Sequence, residues 1–417
     1  MNFGGKTMNF TKTLLIIALL TIVGAVGLTA SAEDLTDNLS ITAEVRARAE
    51  GHDTDFNSDT KMYSFGLLRT RINLDLYQDS PVRGFIQLQD SRVYGQSGSG
   101  SGTLENDENL GLHQGYLRVA CKYIDHMYMK IGRFEFPKGN ERVLGAVGWN
   151  NVGRTFDGAT VGFDNENVHI QGFGMMIDER YVQSNDDVML WGVHAEIKDP
   201  DIDFFLLWDR DNLRDSEDVA RTSRLTAGLY RQGEFSQFDY NSNLAYQFGK
   251  SYYDALDIAA YLVTLEIGYT FETEKYVRVA AGIDMTSGDD DPADDKDNTY
   301  NNLYYTAHKF RGHMDLFTGS PMHGLNDLFF KGEFRPDDMF SFNGHFHYFM
   351  SNVDYSSVVD GSDTKSIGTE IDIFAKIRPY DRFTLQVGGS TFMASEDWLG
   401  EDADASYWLY LQTTASF

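Results

Sequence analysis

The chain has 417 residues, 14% of them aromatic, with 63 Asp and Glu against 35 Lys and Arg and a formal net charge of −28. That acidic balance disfavours a nucleic-acid surface, and a single cysteine excludes an internal disulfide. Past the N-terminal segment no stretch of about 18 apolar residues is available as a transmembrane helix, so any membrane must be crossed by strands.

The chain opens on a targeting pattern. Lys6 and Lys12 precede the apolar run from Leu14 to Leu28, and Thr29-Ala30-Ser31-Ala32 follows with small residues at the positions a signal peptidase requires. Cleavage is placed after Ala32, with Met8 as an alternative start. Residues 1–32 thus read as a signal peptide and 33–417 as the mature domain.

From about residue 38 apolar and polar residues alternate in segments separated by turn formers. Period-2 alternation marks strands with one apolar and one polar face. The segments fall at 39–50, 62–78, 81–93, 110–121, 126–134, 156–164, 167–176, 187–198, 201–210, 222–234, 236–249, 258–272, 275–286, 327–335, 339–352, 364–379, 382–394 and 404–417. The connections alternate between short turns, such as Gln78-Asp79-Ser80-Pro81 and Lys198-Asp199-Pro200-Asp201, and long loops, such as 94–109, 135–155 and 287–326. An even count, short turns on one rim and long loops on the other predict a single all-β, up-and-down antiparallel barrel of about 18 strands in an outer membrane, with short periplasmic turns and long extracellular loops. The chain ends on an apolar face of Tyr407, Leu409, Leu411, Thr413, Ala415 and Phe417. A terminal aromatic there resembles the signal read by the barrel-assembly machinery. Lone Cys121 continues the apolar face of Leu117 and Val119 and reads as a small lipid-facing residue.

Charged side chains are expensive among lipid tails, so parity sends them to the lumen. This assigns Arg46, Arg48, Arg69, Arg71, Arg118, Lys130, Arg278, Lys376 and Arg378 to the interior. Two readings stay open. A lumen lined by Arg and Lys attracts anions. Alternatively these cations pair with lumen acids such as Glu44, Asp75, Glu266, Asp284, Glu333, Glu370 and Asp372 and merely satisfy a polar interior.

Residues 131–163 read IGRFEFPKGNERVLGAVGWNNVGRTFDGATVGF. With Leu88-Gln89-Asp90-Ser91-Arg92, and with Ser287-Gly288-Asp289, Asn302-Leu303, His308-Lys309-Phe310, Gly312 and Met314-Asp315-Leu316 between Ala280 and Phe317, this stretch resembles the alginate export family over nearly the whole mature chain. The resemblance implies a monomeric eighteen-stranded porin that passes a polyuronate through an Arg-lined constriction narrowed by loops. By motif position it carries over Arg133, Arg142, Arg154 and Asp157 as path residues. The sequence departs from the family's commonest form at Glu135-Phe136-Pro137-Lys138, where Pro137 and Lys138 would reshape the constriction. The glycines of the motif also suit a tightly folded inward loop that Arg154 and Asp157 would pin.

The expected function is therefore an outer-membrane channel with an anion-selective lumen, passing an acidic polysaccharide, oligosaccharide or small anions by diffusion. A general anion porin and a plugged structural barrel are the alternatives. The expected partners are outer-membrane lipid and lipopolysaccharide, the anionic substrate and the assembly machinery. An enzyme reading lacks a Gly-x-Ser-x-Gly elbow, and parity turns His345 and His347 inward. No Cys or His spacing of a zinc motif occurs, and no cofactor is expected. Asp289, Asp291, Asp294 and Asp295 are weak calcium candidates in a loop without EF-hand spacing.

Overall fold

A computed structural model describes residues 38–95, 104–105, 110–179, 187–211, 222–251 and 256–417. The expected signal peptide and most of the Gly/Ser loop tip at 95–102 lie outside the described residues.

The strands run in chain order: β1 (Leu39–Asp53), β2 (Tyr63–Leu76), β3 (Val82–Val93), β4 (Leu110–Ala120), β5 (Met127–Phe134), β6 (Phe156–Asp164), β7 (Val168–Asp178), β8 (Val188–Ile197), β9 (Ile202–Asp211), β10 (Thr222–Phe235), β11 (Phe238–Lys250), β12 (Asp257–Thr270), β13 (Tyr276–Thr286), β14 (Lys296–Asp297), β15 (Leu325–Arg335), β16 (Phe340–Ser356), β17 (Asp363–Tyr380), β18 (Phe383–Ala394) and β19 (Ser406–Ser416). All but two-residue β14 pair antiparallel with their neighbours, and β1 closes onto β19. The result is a closed up-and-down barrel of eighteen long strands, as the strand rhythm predicts. Closure leaves no unpaired edge, which is what lets strands cross a bilayer.

The outward face carries Ile72, Met129, Trp191, Phe204, Leu206, Phe330, Phe342, Ile373 and Leu409, all exposed. These are the side chains a lipid phase would cover. Phe417 is exposed on the same face, and its backbone pairs with Ala43, tying the chain end into the closing seam.

The interior is not an open cylinder. Loop 135–155, between β5 and β6, and the loop between β13 and β15 both fold inward from the long-loop rim. Val143, Leu144 and Phe136 of the first loop pack on Phe134, Phe156, Phe173, Met175, Leu190 and Leu207 of the wall. Met314 and Phe317 of the second pack on Leu325, Phe349, Ile367, Phe392, Trp408 and Tyr410. The two loops also join each other: Leu144 bridges Tyr304, Gly145 N–H donates to the Tyr304 carbonyl at 2.8 Å, and Tyr304 N–H donates to Val143 at 3.1 Å. Buried apolar surface and satisfied backbone groups together explain how long loops stay ordered inside the lumen.

Candidate functional site

Two loops narrow the lumen, and much of the predicted cationic lining holds the first of them in place. Arg46 donates to the carbonyls of Gly148 and Asn150 at 2.8 Å each. Arg69 shares both acceptors at 3.2 Å and pairs with Glu44 at 2.7 Å. Arg48 donates to the Trp149 carbonyl at 2.8 Å, pairs with Glu50 at 2.6 Å and lies 4.0 Å from the centre of the Trp149 ring. All three arginines are buried. Arg71 is spent on Gln89, His113 and Glu135. Asn151 completes the anchor by donating to the carbonyls of Leu68, Arg92 and Leu104.

Parity places Arg46, Arg48, Arg69 and Arg71 inside, and of the two readings left open these contacts favour the second for β1 and β2: most of the four guanidinium groups' donors go to loop carbonyls and neighbouring side chains. The motif arginines are committed too. Arg142 is buried against Asp284, which it shares with Arg311, and lies 4.0 Å from the Phe310 ring centre. Arg154 donates to the carbonyls of Tyr304 and Tyr305, riveting one loop to the other.

Arg133 and Asp157 do not reach the lumen. They pair at 2.5 Å across β5 and β6, and both side chains are about half exposed. The parity that turns Tyr128, Lys130 and Phe134 inward turns Met129 and Arg133 outward. Motif position alone cannot reveal a face; counting from Lys130 does.

Elsewhere the lumen cations divide by wall. Arg278 binds Asp239 and Glu266, and Lys331 binds Glu266 at 2.8 Å. Lys376 and Arg378 line a small cavity of about 170 Å³ toward the short-turn rim with Glu333 and Arg335. On the β4–β5 wall, by contrast, Arg118 and Lys130 are direct cross-strand partners. Arg118 lies 4.1 Å from the Tyr128 ring centre, and Lys130 is 3.9 Å from that of Phe134. Among the described residues neither cation has a carboxylate partner, and neither does Lys138 in the first loop. Burial, only partly offset by Asp203 and Glu196, pushes the Lys138 ammonium down to about 8.

Gly139 adopts φ +52° at the turn of this loop, where an added Cβ would lie 3.0 Å from Tyr230 and 3.1 Å from Asp203. The positive φ favours glycine, and a side chain there would crowd Tyr230 of β10 and Asp203 of β9. Beneath it is a cavity of about 640 Å³ whose lining includes Lys138, Glu196, Asp201, Asp203, Glu266 and Lys331. Alternation is the sequence signal for the acids of β8 and β9: it places Glu196 with buried His194, and Asp203 with buried Leu207.

The loop acids proposed for calcium do not converge. Asp289, Asp291 and Asp294 each accept a backbone N–H two residues on, from Asp291, Ala293 and Lys296. Such local capping explains an acidic turn without an ion. Among the described residues, Asp289, Asp291, Asp294 and Asp295 form no group with donor atoms close enough to share one ion.

An Alginate export family model matches residues 37–405. This chain belongs to the alginate export family. Membership makes it an outer-membrane β-barrel of the porin type. No protein of curated function is matched by sequence. Among solved structures, OccAB4 of Acinetobacter baumannii superimposes with a TM-score of 0.62 at 11% identity, covering 93% of this chain and 100% of that one. OccK3 (OpdO) of Pseudomonas aeruginosa gives 0.60 at 14% identity, covering 92% and 97%. OpdK of the same organism, solved with vanillate, gives 0.57 at 11% identity, covering 92% and 99%. At these identities the likeness is one of fold.

Proposed function

We propose that this alginate export family barrel is an anion-preferring diffusion channel for acidic saccharides. The observation that carries the reading is the cationic rung Arg118–Lys130, with Lys138 nearby in the first loop. Like charges placed directly opposite across strands repel, and an anion passing between them relieves that repulsion. The β8–β9 wall, a few strands further round, adds selectivity of another kind. Glu196, Asp201 and Asp203 share the cavity with Lys138, and these carboxylates accept hydrogen bonds from hydroxyl groups. A sugar acid offers a carboxylate to one wall and hydroxyls to the other, whereas chloride answers only the cations.

Single-channel recording in planar bilayers tests this. Oligouronates should block the current at concentrations where neutral oligosaccharides of equal length do not, and salt should weaken the block because the contacts are charged. Lys130→Glu should shift the reversal potential toward cations and abolish the block. Current indifferent to both sugars would sink the saccharide assignment and leave a general porin; silence would leave a plugged barrel.

A second reading has one support. OpdK, a fold neighbour, was crystallised with vanillate, a small carboxylate. Block by monocarboxylates matching that by uronates would favour this reading.

A further inference from the structure

We propose that His313, His345 and Asp372 form a transition-metal site of the zinc class on the lumen wall, where a bound ion clamps the second inward loop to β16 and β17.

The wall half of the site is set by register. His345 and Asp372 are direct partners in the β16–β17 ladder and share the lumen face. The third ligand is delivered by the loop. Arg311 at φ +60° and Gly312 at φ +82° turn the chain against the wall, and Met314 N–H donates to Glu370 Oε1 at 2.9 Å. His313, between them, is laid 5.4 Å from the His345 ring centre to centre. One donor atom from each of the three side chains lies within 4.8 Å of the others. A tetrahedral ion with bonds of about 2.0–2.2 Å holds its ligands roughly 3.4 Å apart, so small side-chain rotations complete the set.

A second observation points to a cation independently of this spacing. Asp372 and Glu370, neighbours on the same face of β17, are both wholly buried, and Asp372 Oδ2 and Glu370 Oε2 have no hydrogen-bond donor. Two carboxyl groups buried side by side need a proton or a metal cation between them. Its other oxygen accepts from Ser390 Oγ at 2.5 Å, an outer contact of the kind that orients a metal-binding carboxylate. His347 Nε2 stands 3.7 Å from Asp372 Oδ2, while its Nδ1 is held by Asp327 at 2.8 Å.

The ligand chemistry selects the class. Two imidazoles and one carboxylate suit zinc and its neighbours, whereas calcium needs about six to eight oxygens. Three protein ligands leave one position open. His313, His345 and His347 line the 640 Å³ cavity, so that position is reachable from it.

Cobalt titration of the folded mature barrel in detergent tests the site, because four-coordinate Co²⁺ has visible bands. One Co²⁺ per chain, displaced by Zn²⁺, is expected. His313→Ala and His345→Asn should weaken binding at least about a hundred-fold, and Ser390→Ala about ten- to a hundred-fold. His126→Ala, at a turn far along the chain, should match the parent. Absence of saturable binding, or parent-like affinity in His313→Ala, overturns the proposal. If the ligand variants do not fold, the parent still decides: Zn²⁺ should shield His313 and His345 from histidine-directed acylation while His126 reacts, and equal labelling with and without Zn²⁺ overturns it. Binding is read without current, so the result is independent of the saccharide-channel reading.

Discussion

At the residue scale, the lumen cations fall into three kinds that composition cannot separate. Arg46 and Arg154 hold loops, Arg278 and Lys331 neutralise acids, and among the described residues Arg118, Lys130 and Lys138 have no carboxylate within salt-bridge distance. Like charges directly opposite one another across strands are destabilising. Arg118→Gln should therefore leave thermal stability equal or slightly higher while weakening anion preference, a split readable by melting and reversal potential together. Lys138 supplies a pH test. Its ammonium is pushed down to about 8, so it is charged below that pH and neutral above. Anion preference should fall from about pH 7 to about pH 9. Lys138→Arg, which stays charged throughout, should flatten the profile. Unchanged profiles in both proteins would remove Lys138 from the path.

At the scale of elements, the inward loops are held by particular bonds. Removing the Arg46 guanidinium leaves the Gly148 and Asn150 carbonyls short of a charged donor. Arg46→Ala should cost about 1–3 kcal/mol, seen as a lower melting temperature, protease nicking within 135–155 and a larger, noisier current. The corresponding test of the second loop is Gly312→Ala. The residue sits at φ +82°, and an added Cβ would run into the Glu370 carboxylate. A cost of about 1–3 kcal/mol is expected from the backbone term alone, with loop release visible in hydrogen exchange around 311–317. Both effects belong to loop docking, so strand content should be unchanged by circular dichroism.

At the scale of the molecule, the barrel sorts polar from apolar by face, and the outward pair Arg133–Asp157 is the informative exception. It sits outside the conducting interior. Arg133→Ala with Asp157→Ala should leave conductance and selectivity unchanged and alter stability by about 0–1 kcal/mol, as half-exposed pairs do. A changed conductance would return these residues to the path.

The barrel itself was legible in the sequence. Each strand is part of the wall between lipid and lumen, so a period of two residues records which face every side chain takes. Val45 and Arg46, or Leu409 and Tyr410, can be sorted from the string alone. The family motif likewise marked 131–163 as the segment that shapes the constriction. What alternation cannot record is contact across the lumen. Arg46 and Asn150 lie on different elements, as do His313, His345 and Asp372. Their meeting depends on where two loops turn at glycines and fold back inside the wall. A loop has no fixed period, so its sequence carries no parity. Only the tertiary structure decided which inward cations serve the loops, which stand apart from a carboxylate, and which distant side chains converge on one stretch of the lumen wall.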